Sequence, residues 1–107
     1  MTTLDLPEKY RTILIALFQQ HIPDTEVWAY GSRVSGQAHA TSDLDLVLRN
    51  PFDLMKPQDK LITLRETIRE SNVPISVDVM DWARIPQSFR NEIERMHVVL
   101  YEPINRS

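Results

Sequence analysis

Ala29-Tyr30-Gly31-Ser32-Arg33-Val34-Ser35-Gly36, followed by Thr41-Ser42-Asp43-Leu44-Asp45-Leu46-Val47-Leu48, is the stretch that decides the fold. The first half holds both glycines of the 107-residue chain, and the second holds an Asp-x-Asp. Glu26 to Tyr30 reads as a short strand running into Gly31. Ser32 to Gly36 reads as a tight turn or a single helical turn, and Asp43 to Arg49 as a second strand.

Side chains two apart on a strand point the same way, with Cα atoms roughly 6.5 Å apart. Asp43, Asp45 and Val47 therefore share one face, and Leu44, Leu46 and Leu48 share the other as candidate core. Two carboxylates leaving one strand together suit a hard, oxygen-seeking cation such as Mg²⁺, which takes its other ligands from water and phosphate. An isolated Asp-x-Asp equally fits two solvated acids on an exposed edge. Gly31 lets the chain turn sharply and bring backbone N–H groups towards an anion, with the Ser32 hydroxyl beside them. Arg33 is open to two roles: contact with a phosphate, or a structural ion pair with Asp43 or Glu26.

Outward from this stretch, the pattern extends to both ends. Asp5, Pro7 and Glu8 predict the start of a first helix, with Asp5 as its cap. Tyr10, Ile13, Leu14, Leu17 and Phe18 recur at helical spacing until Pro23 and Asp24 break it. Asn50, Pro51 and Pro57 fence a loop, and Leu61, Leu64 and Ile68 mark a helix ending near Ser71-Asn72. Ile75 to Met80 predicts a third strand, with Ile75, Val77 and Val79 on one face and Asp78 on the other. Phe89, Ile93 and Met96 space a last helix from near Pro86, and Val98 to Tyr101 closes as a strand. The order predicts an α/β (α+β) fold, a single small mixed sheet of about four strands with helices packed against it. One domain, residues 1–107, is expected.

Asp78 is an acid in mid-strand, where Asp is disfavoured. If its strand neighbours that of Asp43 and Asp45, three carboxylates can converge. They would raise one another's pKa values unless a cation compensates, which makes a two-metal centre reasonable. Asp81, at the end of the same strand, reads more simply as a turn or capping residue.

Composition bounds the rest. A hydrophobic fraction of 42% and a charged fraction of 25% are ordinary for a globular protein. There are no cysteines, which excludes disulfides and thiolate metal sites. The longest apolar run, Ile13 to Phe18, is too short to span a bilayer, and the N-terminus lacks the features of a secretory signal, so a cytoplasmic protein is expected. A formal net charge of −3 argues against stable binding of long nucleic acid, without excluding a nucleotide ligand. Apolar stripes on short helices leave room for a homo- or hetero-oligomer.

Gly31-Ser32, the ten residues Arg33 to Ser42, Asp43-Leu44-Asp45, and a third carboxylate on a later strand at Asp78 together resemble the signature of the polymerase-β-like nucleotidyltransferase superfamily. Within it, the chain looks most like the minimal nucleotidyltransferases, or MNT proteins, over roughly Asp5 to Glu102. The resemblance implies attack of an acceptor oxygen on the α-phosphate of an NTP, ATP being the expected one, with release of pyrophosphate. It implies Asp43, Asp45 and Asp78 as catalytic metal ligands for two Mg²⁺ ions, and Gly31 and Ser32 at the triphosphate, where Arg33 is a further candidate from its own chemistry. It also implies a separately encoded helical partner of the HEPN type, whose tyrosine takes AMP so that the MNT protein acts as antitoxin. The pattern departs from the family at His39-Ala40, where many relatives carry a basic residue and then Pro. His39 reads as an exposed loop histidine, and His21 and His97 as helix-end residues without chemistry. Trp28 and Trp82 read as core or partner-contact residues.

Two other functions fit the same residues. One is a binding module that neutralises a partner without catalysis, which Asp43→Asn with Asp45→Asn would distinguish. The other is modification of a small molecule, for which the short chain offers little acceptor-binding surface.

Overall fold

A computed structural model describes residues 3–103. Helix α1 (Glu8–His21) precedes strand β1 (Glu26–Tyr30), a one-turn helix α2 (Ser32–Ser35) and strand β2 (Leu44–Arg49). Helix α3 (Leu61–Arg69) crosses to strand β3 (Val77–Asp81), and a 3-10 turn (Trp82–Arg84), helix α4 (Gln87–Arg95) and strand β4 (Val98–Tyr101) follow. The four strands form one sheet in the order β3-β2-β1-β4. β1 is antiparallel to both β2 and β4, while β2 and β3 are parallel and joined through α3, so the expected mixed sheet with packed helices is present.

One face of the sheet is the core foreseen from the periodicity. Leu44, Leu46 and Leu48 of β2 meet Val27 and Ala29 of β1 and Val79 of β3 there. Leu14 and Phe18 of α1 and Leu64 and Ile68 of α3 cover them. Each Leu, Ile, Val or Phe among them contributes roughly 1.5–3 kcal/mol on burial. The stripe on α1 has its buried line at Leu14 and Phe18, with Tyr10, Ile13 and Leu17 packed around its rim.

The other face is also covered, which the sequence reading did not foresee. Trp28, Tyr30 and Val47 form a second cluster with Trp82, Ile85 and Ile93. Val47 is fully buried, although its alternation with Asp43 and Asp45 put it on a polar face. The 3-10 turn and α4 fold back over part of that face, and the end bearing Asp45 and Asp78 stays open. Trp28 stacks on His97 at 3.7 Å and carries the Arg49 guanidinium 3.8 Å from its ring centre, so both tryptophans are packing residues.

Three local expectations are corrected. Asp5 does not cap α1: the helix begins after Pro7 with no side-chain cap, and the Asp5 backbone N–H donates to Arg33 O instead. Glu8 pairs with Arg11 one turn on. β3 starts two residues later than expected, because Ser76 contributes only its carbonyl to the ladder, to Leu44 N–H. No helix among the described residues is long and apolar enough to cross a membrane.

Candidate active site

Register places the site. Tyr30 pairs with Asp45 across the β1–β2 ladder, and Asp45 pairs with Asp78 across the β2–β3 ladder. Cα partners in a sheet send their side chains to the same face. Tyr30, Asp45 and Asp78 therefore form one row across three strands, at the open end of the second face. Asp43 lies just before β2 begins, exposed and outside the ladder, on the approach to this row.

The carboxylates act on one another. Burial, then the charge of Asp78, then that of Asp43, pushes the Asp45 carboxyl above its ordinary value. Burial pushes the Tyr30 phenol well above its ordinary value too, with Asp45 and Asp78 adding to the effect, so this hydroxyl keeps its proton. Tyr30 was not singled out from the sequence. Its position immediately before Gly31 was the one available signal, and its pairing with Asp45 is a matter of register.

Among the described residues, no three His, Asp or Glu side chains stand close enough to enclose an ion by themselves. The expected convergence of Asp43, Asp45 and Asp78 is thus an open row of two with a flanking third. The donor set is nonetheless all carboxylate oxygen, which fits a Mg²⁺ ion that draws its remaining ligands from phosphate and water.

Gly31 makes room for this row. Its φ of +83° is a conformation that L side chains rarely adopt, and a Cβ there would overlap Asp45 Oδ2. The glycine is required twice, by the turn and by the close approach of the carboxylate. Val34 and Ser35 N–H both return to Gly31 O at 3.0 Å, which holds Ser32 at the start of α2. Gly31 and Ser32 lie with Tyr30 and Phe89 on a cavity of about 370 Å³ between α2 and α4. Gly36, at φ +85°, ends α2 in the left-handed conformation and has open space around it.

Arg33 does not reach this site. It is 3% exposed, and its guanidinium donates to Asp5 O at 2.8 Å, Ser42 O at 3.0 Å and Ala40 O at 3.1 Å. A buried guanidinium needs such partners, and these carbonyls leave it neither a phosphate nor the ion pair with Asp43 or Glu26. Glu26 pairs with Arg49. Arg33 instead ties the N-terminal segment to the loop that delivers Asp43. His39 is exposed in that loop, where its backbone N–H donates to Ser42 Oγ at 2.8 Å.

Asp81 is 4% exposed and caps: Oδ1 accepts from Ala83 N–H at 3.3 Å and Oδ2 from Gln58 N–H at 2.8 Å. It stands three residues beyond Asp78, at the other end of β3 from the open row.

The profile of the family described as polymerase beta, nucleotidyltransferase, matches residues 13–105. The chain belongs to this nucleotidyltransferase family. The nucleotidyltransferase is 40% identical over 101 residues to the probable protein adenylyltransferase MntA of Haemophilus influenzae, across 92% of this chain and 85% of that relative. Its fold superposes on a crystal structure of a toxin-antitoxin with AMP-PNP at a TM-score of 0.69, with 20% identity over 91% of this chain and 74% of the other. It superposes on the toxin-antitoxin MntA-HepT at a TM-score of 0.64, with 15% identity over 89% of this chain and 72% of the other. Those two likenesses carry the fold, and the family and the MntA relative identify a minimal nucleotidyltransferase, an enzyme.

Proposed function

We propose that this protein transfers AMP from ATP to a hydroxyl of a helical HEPN-type toxin, a tyrosine being the acceptor, and so acts as its antitoxin. The observation that carries the reading is the row Tyr30–Asp45–Asp78 beside a glycine that admits nothing larger. The MntA relative, described as a probable protein adenylyltransferase, supports the protein acceptor. The AMP-PNP of the toxin-antitoxin neighbour supports ATP, and the MntA-HepT neighbour supports the partner.

In this reading the acceptor oxygen attacks the α-phosphorus, and the bond to pyrophosphate breaks. Asp43 and Asp45, with Asp78, would hold two Mg²⁺ ions, which supply charge for the triphosphate and for the attacking oxygen. Gly31 brings the backbone close to the triphosphate, and the Ser32 hydroxyl donates to it. Tyr30, held protonated beside the row, adds no further negative charge to it.

Neutralisation of the toxin by wild-type protein and by Asp43→Asn with Asp45→Asn tests the reading. Transfer requires the double variant, still folded and still bound to its partner, to fail. Full neutralisation by that variant would assign the protein to binding alone.

A further inference from the structure

The free edge of β3 has the chemistry to receive the acceptor. β3 lies at one end of the sheet. Leu44 of β2 pairs with Val77 and donates its N–H to Ser76 O. In a parallel ladder this pattern turns both backbone groups of Val77, and likewise of Val79, to the opposite side. The outward Val79 carbonyl is taken by the Arg65 guanidinium, through Nε at 3.1 Å and through Nη2. The outward N–H and C=O of Val77 have no backbone or side-chain partner among the described residues. They open on a groove of about 400 Å³ bounded by Arg65, Arg69, Pro74 and Asp78.

We propose that this edge binds an extended segment of the protein acceptor as an added strand, with the hydroxyl-bearing residue opposite Asp78 and a carboxylate residue next to it. The inference rests on the transfer reading above. Register supports the first part. A residue paired with Asp78 must share its face, so it becomes the fourth member of the row Tyr30–Asp45–Asp78, about 4.8 Å beyond the last strand. Charge supports the second part. Residues on either side of the acceptor turn to the opposite face, where α3 presents Arg69, which has no acidic partner among the described residues, beside Arg65. Main-chain pairing would supply affinity and the alternating side chains selectivity, as in other strand-addition complexes. Arg65, by capping Val79, limits the added strand to the Val77 end and guards the edge against unspecific pairing.

The test is amide hydrogen exchange on the full chain with Mg²⁺ and a non-hydrolysable ATP analogue, with and without a HEPN-type partner protein. The Val77 amide is expected to slow by about tenfold or more when the partner binds. Arg69→Glu is expected to remove that slowing and raise the acceptor KM by about tenfold, with the Kd for ATP unchanged. Val77→Pro removes the outward N–H without touching the β2 ladder and is expected to raise the acceptor KM in the same way. Arg69→Glu, a surface change, decides the matter if Val77→Pro does not fold. AMP transfer by the wild type with Val77 exchange unaltered would overturn the strand-addition proposal and leave the transfer reading standing. Absence of transfer by the folded wild type would overturn both.

Discussion

Asp45 and Asp78 are direct partners in the parallel pairing of β2 and β3, so their carboxylates leave the same face on adjacent strands. Burial and the Asp78 charge both push the Asp45 carboxyl up. The row is electrostatically unfavourable in the free protein, as expected of groups kept for a cation. Asp45→Asn is predicted to lower AMP transfer by roughly 100-fold or more, since such an ion supplies several kcal/mol to the transition state. The same change is predicted to raise the Tm of the metal-free protein at neutral pH. A group whose folded pKa is raised favours the fold only while protonated, and that contribution is lost as pH rises through the folded value. Calorimetric melting in EDTA beside a transfer assay checks both.

Gly31 and Gly36 are predicted to respond differently to alanine. Both stand at positive φ: Gly36 is left-handed helical, where alanine costs about 1–2 kcal/mol, and Gly31 is in a region essentially confined to glycine, where it costs about 1–3 kcal/mol. At Gly36 nothing lies within reach of the new methyl group, and activity is expected to survive in the molecules that remain folded. At Gly31 the methyl group meets the Asp45 carboxylate, and activity is expected to fall well beyond the loss of stability. Tm and kcat measured on both variants separate the two effects.

Arg33→Met is predicted to destabilise the fold by about 3 kcal/mol or more, because three carbonyls lose a charged donor. The segment 37–43 is expected to become protease-sensitive, which limited proteolysis reads directly.

Most of the fold was legible because its signals are local. β1 and β4 match their expected bounds, since Pro23-Asp24 and the Val98–Tyr101 run mark them without help from tertiary contacts. That Asp45 and Asp78 leave the sheet on one face was legible because a strand's two-residue alternation is itself a statement about direction. What the sequence could not carry was which strands are neighbours, and how they are aligned. Tyr30 enters the row only through its pairing with Asp45. Val47 is buried because the 3-10 turn and α4, distant in sequence, return to this face and cluster with it. Arg33 was misplaced for a related reason. An arginine two residues after a turn glycine reads as a ligand until the carbonyls of Asp5, Ala40 and Ser42 are seen around it.

Stability is predicted to fall above about pH 10, where tyrosines of the unfolded chain ionise. Burial, first of all, raises the phenols of Tyr30 and Tyr101 above the ordinary tyrosine value, and Tyr101 donates to Pro23 O at 3.0 Å. The folded state holds these protons while the unfolded state releases them, so the slope is towards instability as pH rises. Tyr30→Phe and Tyr101→Phe are each expected to flatten the alkaline limb of a urea-denaturation series.

Nucleotidyl transfer to a protein is the reading proposed for the Asp45–Asp78 row. Its most direct test is the intact mass of a HEPN-type partner after incubation with this protein, ATP and Mg²⁺. A mass increase of one or more AMP units is expected with the wild type and none with Asp45→Asn. An unmodified partner, with the wild type folded and ATP bound, would contradict it.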